Sequence, residues 1–230
     1  MKNANFLRST AIAVITMLIA GCASNNVATQ SEYSGFLGDY SNLQKTEDSK
    51  GEPLLRYINP KLMPANYSAV IVEPLQMYPK AEPTEQLSQT TIDEIRSYGT
   101  TCLRQAVGSK VRVVDAPGPG VLRLQVAITG VASSAQGIAP YQVLPIAFVA
   151  TMAVNSVAGA PQQAKLLVEA RGTDSVSGEV MAKVVRTRTG ERLGRVASNM
   201  PVITFESVKP IMDDWCNSVS DAVVKYVKPR

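Results

Sequence analysis

The sequence predicts an α+β fold, a two-layer sandwich in which a mixed sheet of about five strands carries two long helices on one face. Short β-rich runs bounded by proline and glycine recur along the chain, whereas two longer segments have apolar residues at helical spacing. The chain has 230 residues, 45% of them hydrophobic and 18% charged, which suits one ordered domain and a short polar tail.

Five runs have the composition of strands, at 67–72, 111–114, 121–131, 166–173 and 180–188. The last two are separated by the turn-forming sequence Asp-Ser-Val-Ser-Gly-Glu, so we expect them to form a β-hairpin. The polar stretch 41–53 contains five charged residues and a glycine, which predicts an exposed loop.

Two segments have the period of an amphipathic helix. The first starts at Thr84 and extends for about 24 residues, and the second covers 207–227, with Pro210 acceptable only in its first turn. Cys102 and Cys216 lie on the apolar stripes of these helices. In an oxidising compartment they are disulfide candidates, and a bridge closing a loop of 114 residues contributes about 4 to 5 kcal/mol in the chain-entropy model. The alternative is two separate buried thiols.

The first 22 residues have the order of a secretory signal. Lys2 and Arg8 precede an uncharged run of ten residues, and Gly21 and Cys22 follow it. Ten helical residues cover about 15 Å, half of a bilayer's hydrocarbon core, so we predict a cleavable signal rather than a membrane span. The sequence Ile-Ala-Gly-Cys at 19–22 resembles the lipobox of bacterial lipoproteins. The alternative is a plain secretory signal with an incidental cysteine.

The lipobox resemblance implies cleavage before Cys22, attachment of a diacylglycerol to its thiol, and an acyl chain such as palmitate on its new amino group. Ala23 stands where an aspartate favours inner-membrane retention in enterobacterial lipoproteins, which predicts the outer membrane, facing the periplasm. We therefore expect a signal peptide at 1–21, a flexible lipidated tether at 22–32 and one periplasmic domain at 33–230. The anchor makes the membrane a partner, and we further expect an envelope protein partner or self-association.

Composition excludes many chemistries. The chain has no histidine, and we find no metal-ligand spacing, phosphate-binding glycine loop or serine-nucleophile motif. We expect no enzyme activity, no catalytic or metal-binding residue and no cofactor. Without residues 1–21 the chain keeps 21 basic and 19 acidic side chains, too balanced to indicate nucleic-acid binding.

Two further features allow alternative interpretations. One basic cluster comprises Lys183, Arg186, Arg188, Arg192 and Arg195. It is interpreted either as a solvated edge strand protected by charge or as a contact for anionic glycan or lipid phosphate.

The interval 124–164 has 41 residues without a charge. Within it, 141–159 is either packed core or an apolar interaction surface. The residues that we predict for that surface are Tyr141, Ile146, Phe148, Met152 and Val154.

Three motifs carry a resemblance to a known family. They are Ser-Gly-Phe-Leu-Gly-Asp-Tyr-Ser-Asn-Leu at 34–43, Tyr-Ser-Ala-Val-Ile-Val-Glu-Pro at 67–74, and Asp-Ser-Val-Ser-Gly-Glu at 174–179. From about Tyr33 to the last helix, the chain resembles bacterial lipoproteins catalogued only as a domain of unknown function, which bring no activity to transfer. We expect a non-enzymatic envelope lipoprotein that binds or positions another envelope component. The alternative is a periplasmic carrier or sensor of an apolar ligand.

Overall fold

The computed structural model describes residues 27–135, 162–195 and 201–230. Its main sheet has seven strands: β1 Gln44–Glu47, β2 Pro53–Ile58, β3 Ala69–Val72, β4 Gln76–Met77, β5 Val121–Ala135, β6 Gln162–Asp174 and β7 Val180–Arg192. A separate two-stranded sheet pairs β8 Gly194–Arg195 with β9 Pro201–Val202. The helices are α1 Gln89–Gly108, α2 Phe205–Val223 and a short 3-10 helix at Gln30–Glu32.

The main sheet is mixed, with strand order β1-β2-β7-β6-β5-β3 and with β4 also paired to β5. The neighbours from β1 to β5 are antiparallel, whereas β3 and β4 run parallel to β5. The expected hairpin joins β6 to β7. In its turn Asp174 accepts hydrogen bonds from the backbone N–H groups of Val176 and Ser177, and Gly178 has a φ of +74°.

The sheet has seven strands where the sequence predicted about five. Four predicted strands correspond to β3, β5, β6 and β7, but 111–114 forms only isolated bridges, to Val70 and Pro229. The strands that the sequence did not predict are β1, β2 and β4 in the main sheet and β8 and β9 outside it. β1 is a polar edge strand within the stretch expected to be a loop, and its pairing depends on β2 rather than on any apolar alternation of its own.

Both helices begin with a capping residue. The hydroxyl of Ser88 accepts from the N–H of Thr91 at the start of α1, five residues after the predicted beginning, and Thr204 caps α2. Because α2 begins at Phe205, Pro210 lies farther inside the helix than the sequence predicted.

The strands alternate their side chains between two buried faces. We call one the helix face, because its residues form a single buried cluster with both helices; it includes Val72, Leu124, Val126, Ile128, Leu166 and Val168. We call the other the second face. There Leu55, Ala127, Leu167 and Val185 pack against residues from 27–43. The N-terminal segment thus covers the side of the sheet that the helices leave open.

Candidate ligand-binding cleft

An apolar cleft lies between the helix face of the sheet and the C-terminal half of α2. Its volume is about 120 Å³. Small residues border it on both sides, with Ala170, Gly172 and Ala182 on the strands and Ser218 and Ala222 on the helix. These side chains are too short to fill the space between sheet and helix, so the core remains open here. The branched residues that complete the apolar lining are Leu122, Leu124, Val168, Val184, Val219 and Val223.

One end of the cleft carries a buried ion pair. Nη2 of Arg186 lies 2.5 Å from Oδ2 of Asp48, and both side chains are nearly inaccessible to solvent, with exposures of 4% and 6%. The same Asp48 oxygen accepts hydrogen bonds from Arg188 Nη2 and Ser218 Oγ. Within the described part of the chain, Nε of Arg186 has no hydrogen-bond partner. The lining is therefore polar at this end and apolar elsewhere.

The ion pair belongs to a larger charge network. Arg188 also contacts Glu52 and Asp214, and Lys50 contacts Asp214 at 2.5 Å. The hydrogen bond to Asp214 raises the pKa of Lys50. Together with Asp48 and Arg186, these groups comprise three cations and three carboxylates. The network joins the loop between β1 and β2 to β7 and α2, and its charges compensate one another.

Two further cations that line the cleft lack such compensation. Arg56 on β2 and Lys225 beyond α2 both line the cleft. Neither forms a salt bridge with a described residue, and Arg56 donates only to the hydroxyl of Thr46, at 3.3 Å. We call these two residues the cationic rim. Their charges give the cleft a positive potential beside its apolar lining.

On the second face, the motif at 34–43 is fixed by a buried carboxylate. Glu169 on β6 is fully buried and accepts hydrogen bonds from the Ser34 N–H at 3.0 Å and the Tyr40 hydroxyl at 2.6 Å. Burial, together with the bond to Glu169, raises the pKa of Tyr40 to about 12, so its hydroxyl remains a donor at neutral pH. Two glycines permit the tight turn, since Gly35 has a φ of +92° and Gly38 a φ of +75°.

Two buried lysines on the strands also bind this N-terminal segment. Lys183 donates to the Asp39 carbonyl at 2.6 Å, and Lys165 lies 3.6 Å from Glu32. Burial lowers the pKa of Lys165. Ala28 is also buried. Fixed structure therefore starts upstream of Tyr33, where the composition had indicated the start of order.

The sequence-predicted site residues have different outcomes. Cys102 and Cys216 are joined by a disulfide with a Cα–Cα distance of 6.0 Å, and it links α1 to α2. Cys22 lies outside the described residues, and its acylation stays a prediction. The same holds for the predicted interaction surface: Tyr141, Ile146, Phe148, Met152 and Val154.

For Lys183 and Arg186, neither interpretation of the basic cluster fits the structure; the side chains of Arg192 and Arg195 lie outside the described ones. β7 is a central strand between β2 and β6, not an edge, and Lys183 and Arg186 are buried. The charges are tolerated there because carboxylates and a carbonyl from 39–52 and α2 meet them. These partners could not be predicted directly from the sequence, since Asp48 lies in a stretch that is typical of solvated loops.

The described residues contain neither a membrane-spanning helix nor a grouped metal-binding site. Neither α1 nor α2 is long and apolar enough to cross a bilayer. Within 27–135, 162–195 and 201–230, no three or more histidine, cysteine, aspartate or glutamate side chains are grouped so as to hold a metal ion.

These features define an α+β domain with two disulfide-linked helices over a mixed sheet, an apolar cleft beneath one of them and an N-terminal motif docked on the opposite face. The chain belongs to the family described as "Protein of unknown function (DUF3313)", whose model matches residues 32–219. The expected family resemblance is thereby confirmed.

Individual relatives were also found. Over 220 residues the chain is 30% identical to the "Uncharacterized lipoprotein YdcL" of Escherichia coli strain K12, covering 96% of this chain and 97% of that protein. The O157:H7 protein of that name matches equally. Two solved structures are similar at lower levels. A PelC L103M dodecamer from Paraburkholderia phytofirmans has a TM-score of 0.36 and 15% identity, covering 76% of this chain and 97% of that one. A putative neuraminyllactose-binding hemagglutinin homolog from Helicobacter pylori has a TM-score of 0.34 and 12% identity, covering 74% and 87%.

Proposed function

We propose that this protein is a non-enzymatic envelope lipoprotein, anchored to the outer membrane through Cys22, whose periplasmic domain binds another envelope component in the apolar cleft. The cleft carries the proposal. Open apolar surface between core elements is the usual setting for a ligand or an anchoring group, and here a few polar groups border it.

The anchor is supported by the lipobox at 19–22 and by the lipoprotein name of the E. coli relative. Five peptide units separate Cys22 from Val27 and span at most about 18 Å. Ala28 packs on the second face of the sheet, so a lipid on Cys22 would hold that face towards the membrane. The cleft, on the helix face, would then open towards the periplasm.

A binding role rather than catalysis is supported by the state of the charged groups. Oδ2 of Asp48 is already occupied by hydrogen bonds from Arg186, Arg188 and Ser218. The chain has no histidine to activate a hydroxyl. We infer that these residues shape and close one end of the cleft.

The anchor is tested by substituting Cys22→Ser and comparing membrane fractionation and intact mass with the wild type. We expect the wild type to carry acyl mass at Cys22 and the variant to leave the outer-membrane fraction. Wild-type protein without acyl mass at this residue would refute the anchor.

The binding role is tested by photocrosslinking in living cells. A photoreactive amino acid at Ala222, which is exposed and lines the cleft, should yield adducts. The matched control is Gln105, which is equally exposed on α1 but does not line the cleft. Adducts from Ala222 should disappear when Ala182→Phe fills the cleft. Equal yields from both positions, or none from Ala222, would contradict binding there.

A further inference from the structure

We propose that the occupant of the cleft is a single-chain anionic amphiphile, a fatty acid whose aliphatic chain enters between sheet and α2 while its carboxylate stays at the cationic rim. This inference rests on the proposed function and names the ligand class. Shape, lining and charge each support it.

The cleft extends along α2. Trp215 and Val223 both line it and lie eight residues apart on that helix, a rise of about 12 Å. A single aliphatic chain matches this elongated apolar space in shape and, unlike an apolar side chain of a partner protein, is long enough to follow it.

The lining selects an aliphatic group. The aliphatic chain of the ligand would contact Ala170, Gly172 and Ala182 on the sheet and Val219 on α2. None of these residues has a side-chain polar group to leave unsatisfied. Each methylene that leaves water for this surface contributes about 0.8 kcal/mol.

The charges select an anionic head and fix its position. Asp48 is the one carboxylate among the lining residues and is already bound by Arg186, so a ligand carboxylate at that end would meet a like charge. At the cationic rim, Arg56 and Lys225 have no carboxylate partner among the described residues. A carboxylate there gains charge-assisted hydrogen bonds and remains partly hydrated. The amphiphile therefore enters tail first.

The chain contains one tryptophan, Trp215, and it lines the cleft, so its fluorescence reports occupancy. The full chain carrying Cys22→Ser, which needs no detergent, is titrated with dodecanoate below its micelle concentration. Dodecanol and dodecyltrimethylammonium serve as neutral and cationic probes of equal chain length. We expect saturable binding of dodecanoate, at least tenfold weaker binding of the cation, and loss of dodecanoate affinity with added salt.

Variants separate the tail from the head. Ala182→Phe should abolish the response by filling the cleft. Ala222→Phe, an exposed position on α2, is a second blocking variant if Ala182→Phe fails to fold by circular dichroism. Arg56→Gln with Lys225→Gln should weaken dodecanoate binding severalfold and leave dodecanol binding unchanged. Arg104→Gln, an exposed cation of α1, is the matched control.

Every other outcome contradicts a specific part of the two proposals. If dodecanol and the cation bind as tightly as dodecanoate and both blocking variants abolish binding, the anionic ligand is wrong while the cleft remains a binding site. If no amphiphile binds but Ala222 crosslinks to a protein in cells, the ligand class is wrong and the proposed function stands. If no probe binds and no adduct forms, both are wrong.

Discussion

The hydroxyl of Tyr40 donates a 2.6 Å hydrogen bond to Oε2 of Glu169, a fully buried carboxylate 129 residues later in the chain. That hydroxyl also accepts from the backbone N–H of Gly35, and the N–H of Ser34 donates to the other Glu169 oxygen. A buried carboxylate requires such donors, because ionised groups are costly to remove from water. This pair therefore explains why a family motif rich in small polar residues packs firmly on the second face.

Substituting Tyr40→Phe should lower the free energy of unfolding by about 1.5 to 3 kcal/mol, the usual effect of removing a hydrogen bond to a charged group. Tyr33→Phe is the matched control. The Tyr33 ring stacks on Tyr40 at 4.3 Å, and its hydroxyl bonds to no described residue. Urea unfolding at pH 7 measures both variants, and equal losses would contradict a specific role for the Tyr40 hydroxyl.

The disulfide between Cys102 and Cys216 should be formed in the protein isolated from cells without reductant. Alkylation of the denatured, unreduced protein should then add no label at either residue, as read from intact mass. Reduction should destabilise the domain by about 4 to 5 kcal/mol in the chain-entropy model, because the bridge closes a loop of 114 residues. Labelling of both thiols in the denatured, unreduced protein would contradict the bridge.

The sequence predicted those helices and strands whose burial is reflected in their own pattern of apolar residues. α1 and α2 have clear apolar periods, which arise from burial on one face. β5, β6 and β7 instead contain runs rich in branched residues, as is typical of strands buried on both faces. β1 has no such period, because it is an exposed edge whose conformation depends on β2. Such a strand cannot be predicted from its own residues, because its conformation depends on pairing with the neighbouring strand.

The cleft was less predictable for a related reason. It depends on the spacing between layers and on small residues from several elements, such as Gly172 and Ala182, which are far apart in sequence or ordinary when viewed singly. The nearest sequence signal was the presence of small residues within strands otherwise rich in branched ones. The ion-pair partner of Arg186 was equally difficult to predict, because Asp48 lies 138 residues before it in the sequence.

The buried ion pair should respond more strongly to substitution than an exposed pair. Asp48→Asn keeps the shape of the side chain but leaves Arg186 without its nearest counter-charge, and we expect a loss of about 3 to 5 kcal/mol. Asp115→Asn removes the partner of Arg104 at a site where the aspartate is 83% exposed, and should cost less than about 1 kcal/mol. Chemical denaturation of both variants measures the contrast, and similar losses would mean that the charge network does not stabilise the fold.

Acid should remove the contribution of Asp174 to stability. Hydrogen bonds from the backbone N–H and the hydroxyl of Ser177, from the Val176 N–H and from Tyr67 lower the pKa of Asp174 in the folded state. A carboxyl group with a depressed folded pKa stabilises the protein above its unfolded pKa of about 3.9, and this contribution disappears as the pH falls through the folded value.

The wild type should therefore exceed an Asp174→Asn variant in stability at pH 7, and the difference should shrink as the pH falls below about 4. Urea unfolding of both proteins across this pH range isolates the single group. A difference that stays constant from pH 7 to pH 3 would show that ionisation of Asp174 is not involved.

Gly190 on β7 should tolerate no side chain, because α2 passes directly over it. A Cβ at this position would lie 2.5 Å from Cδ1 of Ile211 and 3.0 Å from the backbone oxygen of Ser207. Relieving the first contact requires Ile211 to leave its buried position, and the second involves helix backbone that does not move independently. We expect Gly190→Ala to destabilise the domain by about 1 to 3 kcal/mol, the usual cost of overpacking.

The matched control is Gly172→Ala on the neighbouring strand β6. A Cβ there would meet its nearest atom, the Cβ of Ala182, at 3.6 Å, an ordinary contact. Because alanine restricts the unfolded chain more than glycine does, this variant should be neutral or more stable by up to about 1 kcal/mol. Thermal and urea unfolding should show a loss of stability for Gly190→Ala and no loss for Gly172→Ala, relative to the wild type. A stable Gly190→Ala protein would mean that α2 lies farther from β7 than described, and the cleft between them would be wider.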